Sequence, residues 1–212
     1  MQNQLKNELH NIISGKDEAS SGTIIQSITR YLNDGTPTGS EIEDAKQFRE
    51  QETKRLEDYI AKNNILITDI DFSQYVSEGA EQKVYLKDDD HVIKLNDGIY
   101  YSSWRDYFYN LLLHNFFFPD TVYTLKGFTK DNGILYAVVQ QPYVSITEHT
   151  DLNQVRLFLN SNGFENIRNN DYQNKELGII LEDLHDENVL TRNGILYFID
   201  TVFYLKKVFW NK

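Results

Sequence analysis

The stretch "LEDLHDENVLTRNGILYFID", residues 181–200, decides how the rest of the chain is interpreted. It places five acidic side chains, a His and two Asn around two short apolar runs. The runs are separated by Asn193 and Gly194, and Asn-Gly between apolar residues is a strong signal for a β-hairpin with a two-residue turn. The sequence therefore predicts a hairpin in this stretch.

The register of this hairpin brings two polar residues to its open end. With Asn193 and Gly194 as the turn, Asn188 lies opposite Ile199, beside Asp200. Side chains on directly opposed residues have Cβ atoms about 4.5–5.5 Å apart, close enough for an amide oxygen and a carboxylate to share Mg²⁺. On the hairpin alone, both side chains could equally cap its end.

The residues just before the hairpin favour the metal interpretation. Asp183, Leu184 and Asn188 reproduce the D-L-x-x-x-N spacing of a kinase catalytic loop. Phosphoryl transfer needs one carboxylate at the acceptor hydroxyl and others on the metal that bridges the phosphates. One loop and one hairpin carry enough groups for both tasks.

With "YFID", this segment resembles the protein-kinase-like superfamily, including the D-x-H-x-x-N form found in aminoglycoside phosphotransferases. The resemblance implies that Asp183 is the catalytic base and that Asn188 and Asp200 hold Mg²⁺. It also implies ATP as the nucleotide partner and a hydroxyl acceptor, which could be a protein or a small molecule. We expect His185 to orient the loop.

A phosphate-covering hairpin and a Lys should precede this segment, and "VSEGAEQKVYLKDDDHVIKL" (76–95) offers both. The resemblance places Lys94 on the phosphates, where it would act with the catalytic groups. It assigns further nucleotide-binding positions to Ser77, Gly79, Gln82, Val84 and Val92, and only Gly79 retains a glycine of the usual loop. Taken alone, Gly79 would be a turn residue and Lys94 a solvated one.

The adenine-binding segment and the partner of Lys94 are less typical. The resemblance places the adenine-binding hinge at Gln140 and Gln141, although a buried strand leaving its sheet would explain them equally well. No Glu occurs from residue 98 to 147 to pair with Lys94, and Asp106 is the nearest acidic substitute. The usual His two positions before the base is Leu181, and Asp200 is followed by Thr-Val in place of Phe-Gly.

The remaining pattern predicts an α+β fold with three units. Apolar spacing predicts helices around Leu5–Ile13 and Ile24–Leu32, and a third helix that opens with a capping box at Ser40 and Glu43. Antiparallel strands follow from residue 65, with an aromatic-rich helix that Pro119 stops and another in "DLNQVRLFLNSNG". We predict a helical extension (1–63), a kinase-like N-lobe (64–142) and a reduced C-lobe (143–212), because only twelve residues follow Asp200.

The whole pattern from about residue 45 to 205 is similar to the serine/threonine/tyrosine kinase-like domains in polyvalent proteins of phages and conjugative elements. That resemblance implies a bacterial domain that travels with mobile DNA and is often fused into larger proteins. This chain would then be a stand-alone or excised version. The resemblance is the basis for expecting a minimal protein-kinase-like fold.

The amino-acid composition indicates which classes of binding partner and which cellular setting are compatible with the chain. The formal net charge of −11 disfavours non-specific binding to nucleic acid or to anionic membranes. The absence of Cys favours a reducing, cytoplasmic setting, and no apolar run has the length of a signal peptide or a membrane span. A protein partner that docks on the N-terminal helices is also compatible with the sequence.

Three functions remain open from the sequence. The first is an active phosphotransferase that uses ATP and Mg²⁺. The second, an inactive pseudokinase that binds nucleotide, is suggested by the missing Glu and glycines, and the third is a protein-interaction module. A glycosidase built on Asp183 and Glu187 would leave Lys94, Gly79 and Asp200 without a role, and the histidines lack the spacing of a zinc site.

Overall fold

The computed structural model describes residues 2–16, 23–34, 45–71, 73–79 and 82–211. Helices and antiparallel strands alternate along the chain in these residues, which fits the predicted α+β class. The helices are α1 (Gln2–Ser14), α2 (Thr23–Asn33), α3 (Ala45–Asn63), α4 (Trp104–Phe117), α5 (Leu152–Ser161) and α6 (Lys207–Trp210), with a 3-10 turn at Pro119–Thr121.

The helices lie where the apolar spacing predicts them. The side chain of Ser103 accepts a hydrogen bond from the amide of Asp106 and so caps the start of α4, and Pro119 follows its end. Asp151 caps α5 through the amide of Asn153 (2.9 Å). The predicted capping box at Ser40 and Glu43 lies outside the described residues.

A five-stranded antiparallel sheet forms the first half of the cleft described below. Its strands are β1 (Tyr75–Glu78), β2 (Gln82–Asp88), β3 (His91–Asn96), β4 (Thr124–Asp131) and β5 (Ile134–Pro142), in the spatial order β1-β2-β3-β5-β4. Asn132 and Gly133 turn the β4–β5 hairpin with φ of 49° and 82°, the left-handed values that favour Asn and Gly.

The second half contains a four-stranded sheet and a separate hairpin. The sheet has the order β11-β8-β7-β6, from β6 (Glu165–Arg168), β7 (Asp171–Asn174), β8 (Ile179–Glu182) and β11 (Val202–Leu205). The hairpin is β9 (Val189–Arg192) with β10 (Ile195–Phe198), paired in the predicted register from Arg192–Ile195 to Val189–Phe198. Asn193 (φ 52°) and Gly194 (φ 74°) make its two-residue turn, which confirms that prediction.

The first three helices are integrated into two apolar cores. Ile25, Ile28 and Leu56 are buried with α4 and with the inner faces of β4 and β5. Leu9 and Ile13 of α1 are buried in the other core, with α5, the four-stranded sheet and α6. The apolar faces of α1 and α2 are therefore used inside the molecule.

Among the described residues, none of the helices combines the length and the apolar character that crossing a bilayer requires.

Candidate functional site

A cleft of about 510 Å³ lies between the five-stranded sheet and the segment that carries Asp183 to Asp200. The structure brings most of the predicted site residues to its walls: Ser77, Gly79, Gln82, Val84, Val92, Lys94, Gln141, Asp183, Asn188 and Asp200. Gln140 is not brought there, and its side chain accepts a hydrogen bond from Lys87 on β2 (2.8 Å). A larger cavity of about 880 Å³, between α5 and the β9–β10 hairpin, contains none of these residues.

Two strand pairs hold the three predicted catalytic-loop residues. Asp183 follows β8, and β11 pairs with β8 so that Val202 lies opposite Glu182. Asn188 precedes β9, and its carbonyl accepts the amides of Ile199 (2.9 Å) and Asp200 (3.4 Å). Because both pairs end at the cleft, the backbone fixes the positions of these residues relative to one another.

Asp183 has an unusual backbone conformation, with φ of 65°. Left-handed conformations of residues other than Gly cost about 1–3 kcal/mol and are concentrated at functional sites. Neighbouring bonds hold the residue there: its amide donates to Asp171 Oδ1 (3.1 Å) and its carbonyl accepts from the amide of His185 (3.0 Å). Leu184 is fully buried and anchors the turn.

Asn188 is bonded directly to Asp183. Its Nδ2 donates to the Asp183 carbonyl (2.8 Å) and to Asp183 Oδ2 (3.0 Å). His185 Nε2 lies 3.4 Å from Asp183 Oδ1 and 3.1 Å from Asn188 Nδ2. Because the amide nitrogen of Asn188 is directed at Asp183, its amide oxygen is the atom that could ligate a cation.

Lys94 is a buried lysine, with 4% of its surface exposed. Its Nζ donates to the carbonyl of Ile199 (2.9 Å), lies 4.0 Å from Asp200 Oδ2 and sits 5.4 Å from the centre of the Tyr123 ring. Burial lowers the pKa of Lys94, and the charge of Asp200 opposes that shift. An ammonium group is therefore held at the base of the cleft by the segment that carries Asp200.

Asp106, the acidic residue considered as a partner for Lys94, lies elsewhere. It is at the N-terminus of α4, where Ser103 Oγ donates to its Oδ2 (2.8 Å). The acidic partner that Lys94 has among the described residues is Asp200.

Asp200 faces the cleft with 34% of its side chain exposed. Desolvation raises the pKa of its carboxyl, Lys94 lowers it, and the charge of Asp183 raises it further. Gln82 Nε2, from the start of β2, donates a hydrogen bond to Asp200 Oδ2. A carboxylate that faces an open cleft beside an ammonium is suited to bind a cation together with anionic groups.

Gly79, which follows β1, and Gln82, at the start of β2, lie at the entrance of the cleft. The amide of Gly79 donates to the carbonyl of Gln82 (2.9 Å). A Cβ built on Gly79 would have no described atom within 4 Å, so packing among the described residues does not require glycine here. Glycine would be needed if a ligand approached this backbone closely.

The inner wall of the cleft is apolar and ends where β5 leaves its sheet. Gln141 is 1% exposed, and its Nε2 donates to the carbonyl of Thr121 (2.8 Å). The chain leaves the sheet after Pro142, and the amide of Tyr143 bonds to Asp90 (2.7 Å). The apolar residues that line the cleft include Val76, Val84, Val92, Val144, Leu190 and Val202.

The donor set at this site suits a hard cation that is bound partly by a ligand. No group of three or more His, Cys, Asp or Glu residues within the described ranges could hold a metal ion. Mg²⁺ is commonly bound by one or two carboxylates together with water and phosphate oxygens. The oxygens of Asn188 and Asp200 fit that requirement, and a zinc-type site does not occur in the described part of the chain.

Several residues that support the site were not found by sequence reasoning. Asp171 holds the amide of Asp183, and Tyr123 donates through its hydroxyl to the same Ile199 carbonyl that binds Lys94 (2.8 Å). Neither residue lies in a motif with characteristic spacing. The only available signal was the residue type: a Tyr and an Asp beside predicted strands.

The comparisons with known proteins are consistent with this geometry. A family model described as the serine/threonine/tyrosine kinase found in polyvalent proteins matches residues 49–207. No curated protein and no solved structure matches the chain significantly. The family match covers most of α3, both sheets, the hairpin and every residue discussed at the cleft.

Proposed function

Because the chain belongs to the family of serine/threonine/tyrosine kinases found in polyvalent proteins, we propose that it transfers the γ-phosphoryl group of ATP to a hydroxyl acceptor, with Mg²⁺ as the metal. The observation that carries this proposal is that Lys94, Asp183, Asn188 and Asp200 line one cleft although they are distant in sequence. Phosphoryl transfer depends mainly on positioning and on offsetting charge, and these four groups provide both.

In the proposed reaction, Asp183 accepts the proton of the acceptor hydroxyl. The acceptor oxygen forms a bond to the γ-phosphorus, and the bond from that phosphorus to the β-γ bridging oxygen breaks, so that ADP leaves. The exposed carboxylate of Asp183 is held by Asn188 and by the Asp171 bond to its amide. This fixed orientation would direct the carboxylate at the acceptor.

Asn188 and Asp200 would hold Mg²⁺ through their side-chain oxygens. The metal would supply positive charge to the phosphate oxygens. Gln82 Nε2 occupies one acceptor position of Asp200 Oδ2, so Mg²⁺ would bind through Oδ1 or compete with this hydrogen bond at Oδ2.

Lys94, Ser77 and Gly79 would bind the phosphates, and the apolar wall would bind the base. Lys94 would keep its contacts with the Ile199 carbonyl and the Asp200 carboxylate. Its Nζ would in addition donate hydrogen bonds to phosphate oxygens. Ser77 and Gly79 would cover the phosphates, and Val84 and Val92 would contact the adenine. Since Gln140 and Gln141 lie within β5, which ends at Pro142, the backbone available to the adenine edge would begin after Pro142.

The acceptor class, a cytoplasmic location and a protein partner at the N-terminal helices are further parts of the proposal. A partner on those helices would have to use their polar faces, because Leu9, Ile25 and Ile28 are buried inside the molecule. The negative net charge supports the absence of nucleic acid among the partners.

Replacement of Asp183 by Asn tests the proposed reaction. A positioned general base contributes about 10²–10⁴ to the rate, so turnover should fall by roughly 10²-fold or more. MgATP binding should persist, because the change keeps the size of the side chain and leaves Asn188 and Asp200 intact. Radiolabelled ATP measures turnover, and Asp186→Asn, which removes a neighbouring carboxylate, is the matched control. Unchanged turnover in Asp183→Asn would remove this residue from the mechanism.

A second candidate function is a nucleotide-binding protein without transfer activity. The Gln82 hydrogen bond to Asp200 favours it, because that bond engages the carboxylate proposed for Mg²⁺. Gln82→Ala separates the two functions. If Mg²⁺ displaces this hydrogen bond when it binds, the Gln82→Ala variant should bind Mg²⁺ as well as or better than the parent and keep its turnover. If no phosphoryl transfer to protein or water is detectable in either protein while MgATP binds, the second function is supported.

A further inference from the structure

A buried polar cluster lies directly behind Asp200, on the side away from the cleft. It joins His114 of α4, Thr121 of the 3-10 turn and Thr201, and these residues are at most 1% exposed. His114 Nδ1 lies 2.7 Å from Thr201 Oγ1, and His114 Nε2 lies 2.8 Å from the Thr121 carbonyl. Thr121 Oγ1 donates to the carbonyl of Phe198 (2.5 Å). Two elements distant in sequence are thus bonded to the segment that carries Asp200.

The direction of each hydrogen bond in the cluster follows from the chemistry of the groups. The Thr121 carbonyl only accepts, so Nε2 of His114 carries the proton and Nδ1 is the acceptor. The Thr201 hydroxyl must then donate to Nδ1. A neutral imidazole satisfies all of these bonds, and burial lowers the pKa of His114 to about 3, which keeps the ring neutral. The cluster therefore requires a hydroxyl at position 201.

Other bonds hold the residues on both sides of Thr201. The Ile199 carbonyl accepts from Tyr123 Oη (2.8 Å) and from Lys94 Nζ (2.9 Å). The Asn188 carbonyl accepts from the amides of Ile199 and Asp200, and Asn110 Oδ1 accepts from the amide of Phe203 (2.8 Å). From Val202 onward the chain pairs with β8. The segment from residue 198 to 203 is therefore bonded at nearly every residue.

We propose that this cluster is a latch that fixes Asp200 toward the cleft before any ligand binds, with His114 and Thr201 as its positioning residues. The metal-binding carboxylate would then be permanently oriented. A segment that moves between two arrangements needs an alternative set of partners, and withdrawing Thr201 would leave the buried Nδ1 of His114 without its hydrogen-bond donor. The latch also explains how Lys94 is held in place although α4 offers no Glu to pair with it, because Lys94 Nζ is bonded to the same segment. The statement that Asp200 binds Mg²⁺ rests on the proposed function.

Hydrogen–deuterium exchange of the whole chain without nucleotide tests the latch. The amides of Ile199, Asp200 and Phe203 should exchange as slowly as those of β8. Rapid exchange in the free protein that becomes slow only after MgATP is added would overturn the proposal, because the segment would then be a switch. This measurement is independent of the proposed function: slow exchange in a protein that binds no MgATP would leave the latch standing and reject the kinase activity.

Two substitutions at Thr201 test the positioning role. Thr201→Val keeps the shape and removes the hydroxyl, whereas Thr201→Ser keeps the hydroxyl. We expect Val to accelerate exchange of the Asp200 and Phe203 amides by about 10-fold or more, since it leaves a buried acceptor on His114 unpaired. We expect Ser to exchange within about threefold of the parent.

The same variants should separate metal binding from nucleotide binding. Thr201→Val should raise the Mg²⁺ concentration needed for half-maximal MgATP binding by about 3- to 10-fold and leave ATP affinity in excess chelator unchanged. A merely structural loss would weaken both. Tyr109→Phe, which removes a hydroxyl bonded to Asn33 (3.3 Å) away from the cleft, is the matched control and should change neither. If Thr201→Val exchanges like the parent, or if Ser is impaired as much as Val, the positioning role is wrong.

Discussion

The burial of Lys94, which we propose binds the phosphates, should oppose the stability of the fold. Its ammonium is buried beside Asp200, and a methionine of similar length would remove the cost of burying that charge. Asp200 faces the cleft and can be solvated without its partner. We therefore expect Lys94→Met to retain the unfolding free energy of the parent within about 1 kcal/mol, or to exceed it, in urea denaturation.

The same substitution should abolish phosphoryl transfer, because the phosphates would lose their buried cation. Lys83→Met is the control: Lys83 is also on the sheet, 3.4 Å from Asp131, but does not line the cleft. That variant should keep its turnover. A loss of several kcal/mol in Lys94→Met would mean that the lysine is structural.

His114 should make stability depend on pH between 6.5 and about 3. Its pKa is lowered to about 3 by burial, so the unfolded chain binds a proton in this window and the folded chain does not. The unfolding free energy should therefore decrease as the pH falls, with a slope from this residue that approaches about 1.4 kcal/mol per unit. Urea titrations of the parent and of His114→Asn measure the difference. An identical slope in both proteins would show that folding does not lower the pKa of His114.

The sequence predicts the place of some residues at the candidate site and not of others. Asp183, Asn188 and Asp200 could be predicted because they lie within eighteen residues, where spacing and hairpin register are local properties. His114, Thr121 and Tyr123 could not, because they reach the site only through α4 and the turn after it. A buried polar contact between distant segments leaves no periodic pattern in the chain.

At the scale of elements, prediction succeeds where the signal is local and fails where pairing is distant. The β9–β10 hairpin follows from Asn193 and Gly194, and α4 ends before Pro119 as expected. The sequence did not indicate that β11 pairs with β8, because that ladder joins residues about twenty positions apart with no turn signal. Nor did it indicate which elements α1 packs against. An apolar stripe predicts that one face of a helix is buried, but it does not predict the elements that bury it.

Helix α1 joins the two ends of the described chain. Lys6 Nζ donates to the carbonyls of Val208 (2.7 Å) and Asn211 (2.8 Å), and the ring of His10 stacks on Phe209 with centroids 4.4 Å apart. Leu9 is fully buried in the core that surrounds the four-stranded sheet. These contacts make α1 part of the body that carries Asp183 and Asp200.

Leu9→Ala should therefore lower the unfolding free energy by about 2–5 kcal/mol, the usual cost of truncating a buried leucine. The loss arises from lost apolar burial and from the cavity that remains. Glu8→Ala, an exposed change on the same helix, should alter it by no more than about 0.5 kcal/mol. Urea denaturation measures both. If Leu9→Ala were as mild as Glu8→Ala, α1 would be only loosely attached.

For the whole molecule, the cleft is the feature that connects fold and function. The five-stranded sheet contributes Lys94 and Ser77, and the segment from 183 to 200 contributes the carboxylates. A ligand that contacts both sides should stabilise the folded chain as one unit. Binding at 100 times the dissociation constant adds about 2.7 kcal/mol, which corresponds to roughly 5–10 °C in Tm for a chain of this size.

The expected rise in Tm with MgATP should depend on both halves of the cleft. Lys94→Met removes a contact from the sheet and Asp200→Asn removes one from the opposite segment, so each should lose most of the rise. In Asp200→Asn, the loss should be largest for the part of the rise that requires Mg²⁺, because the metal is assigned to that side. A differential scanning measurement with ATP, with and without Mg²⁺, resolves these contributions. If the parent shows no rise at saturating MgATP, the cleft does not bind nucleotide, and a protein-interaction module is the function that remains.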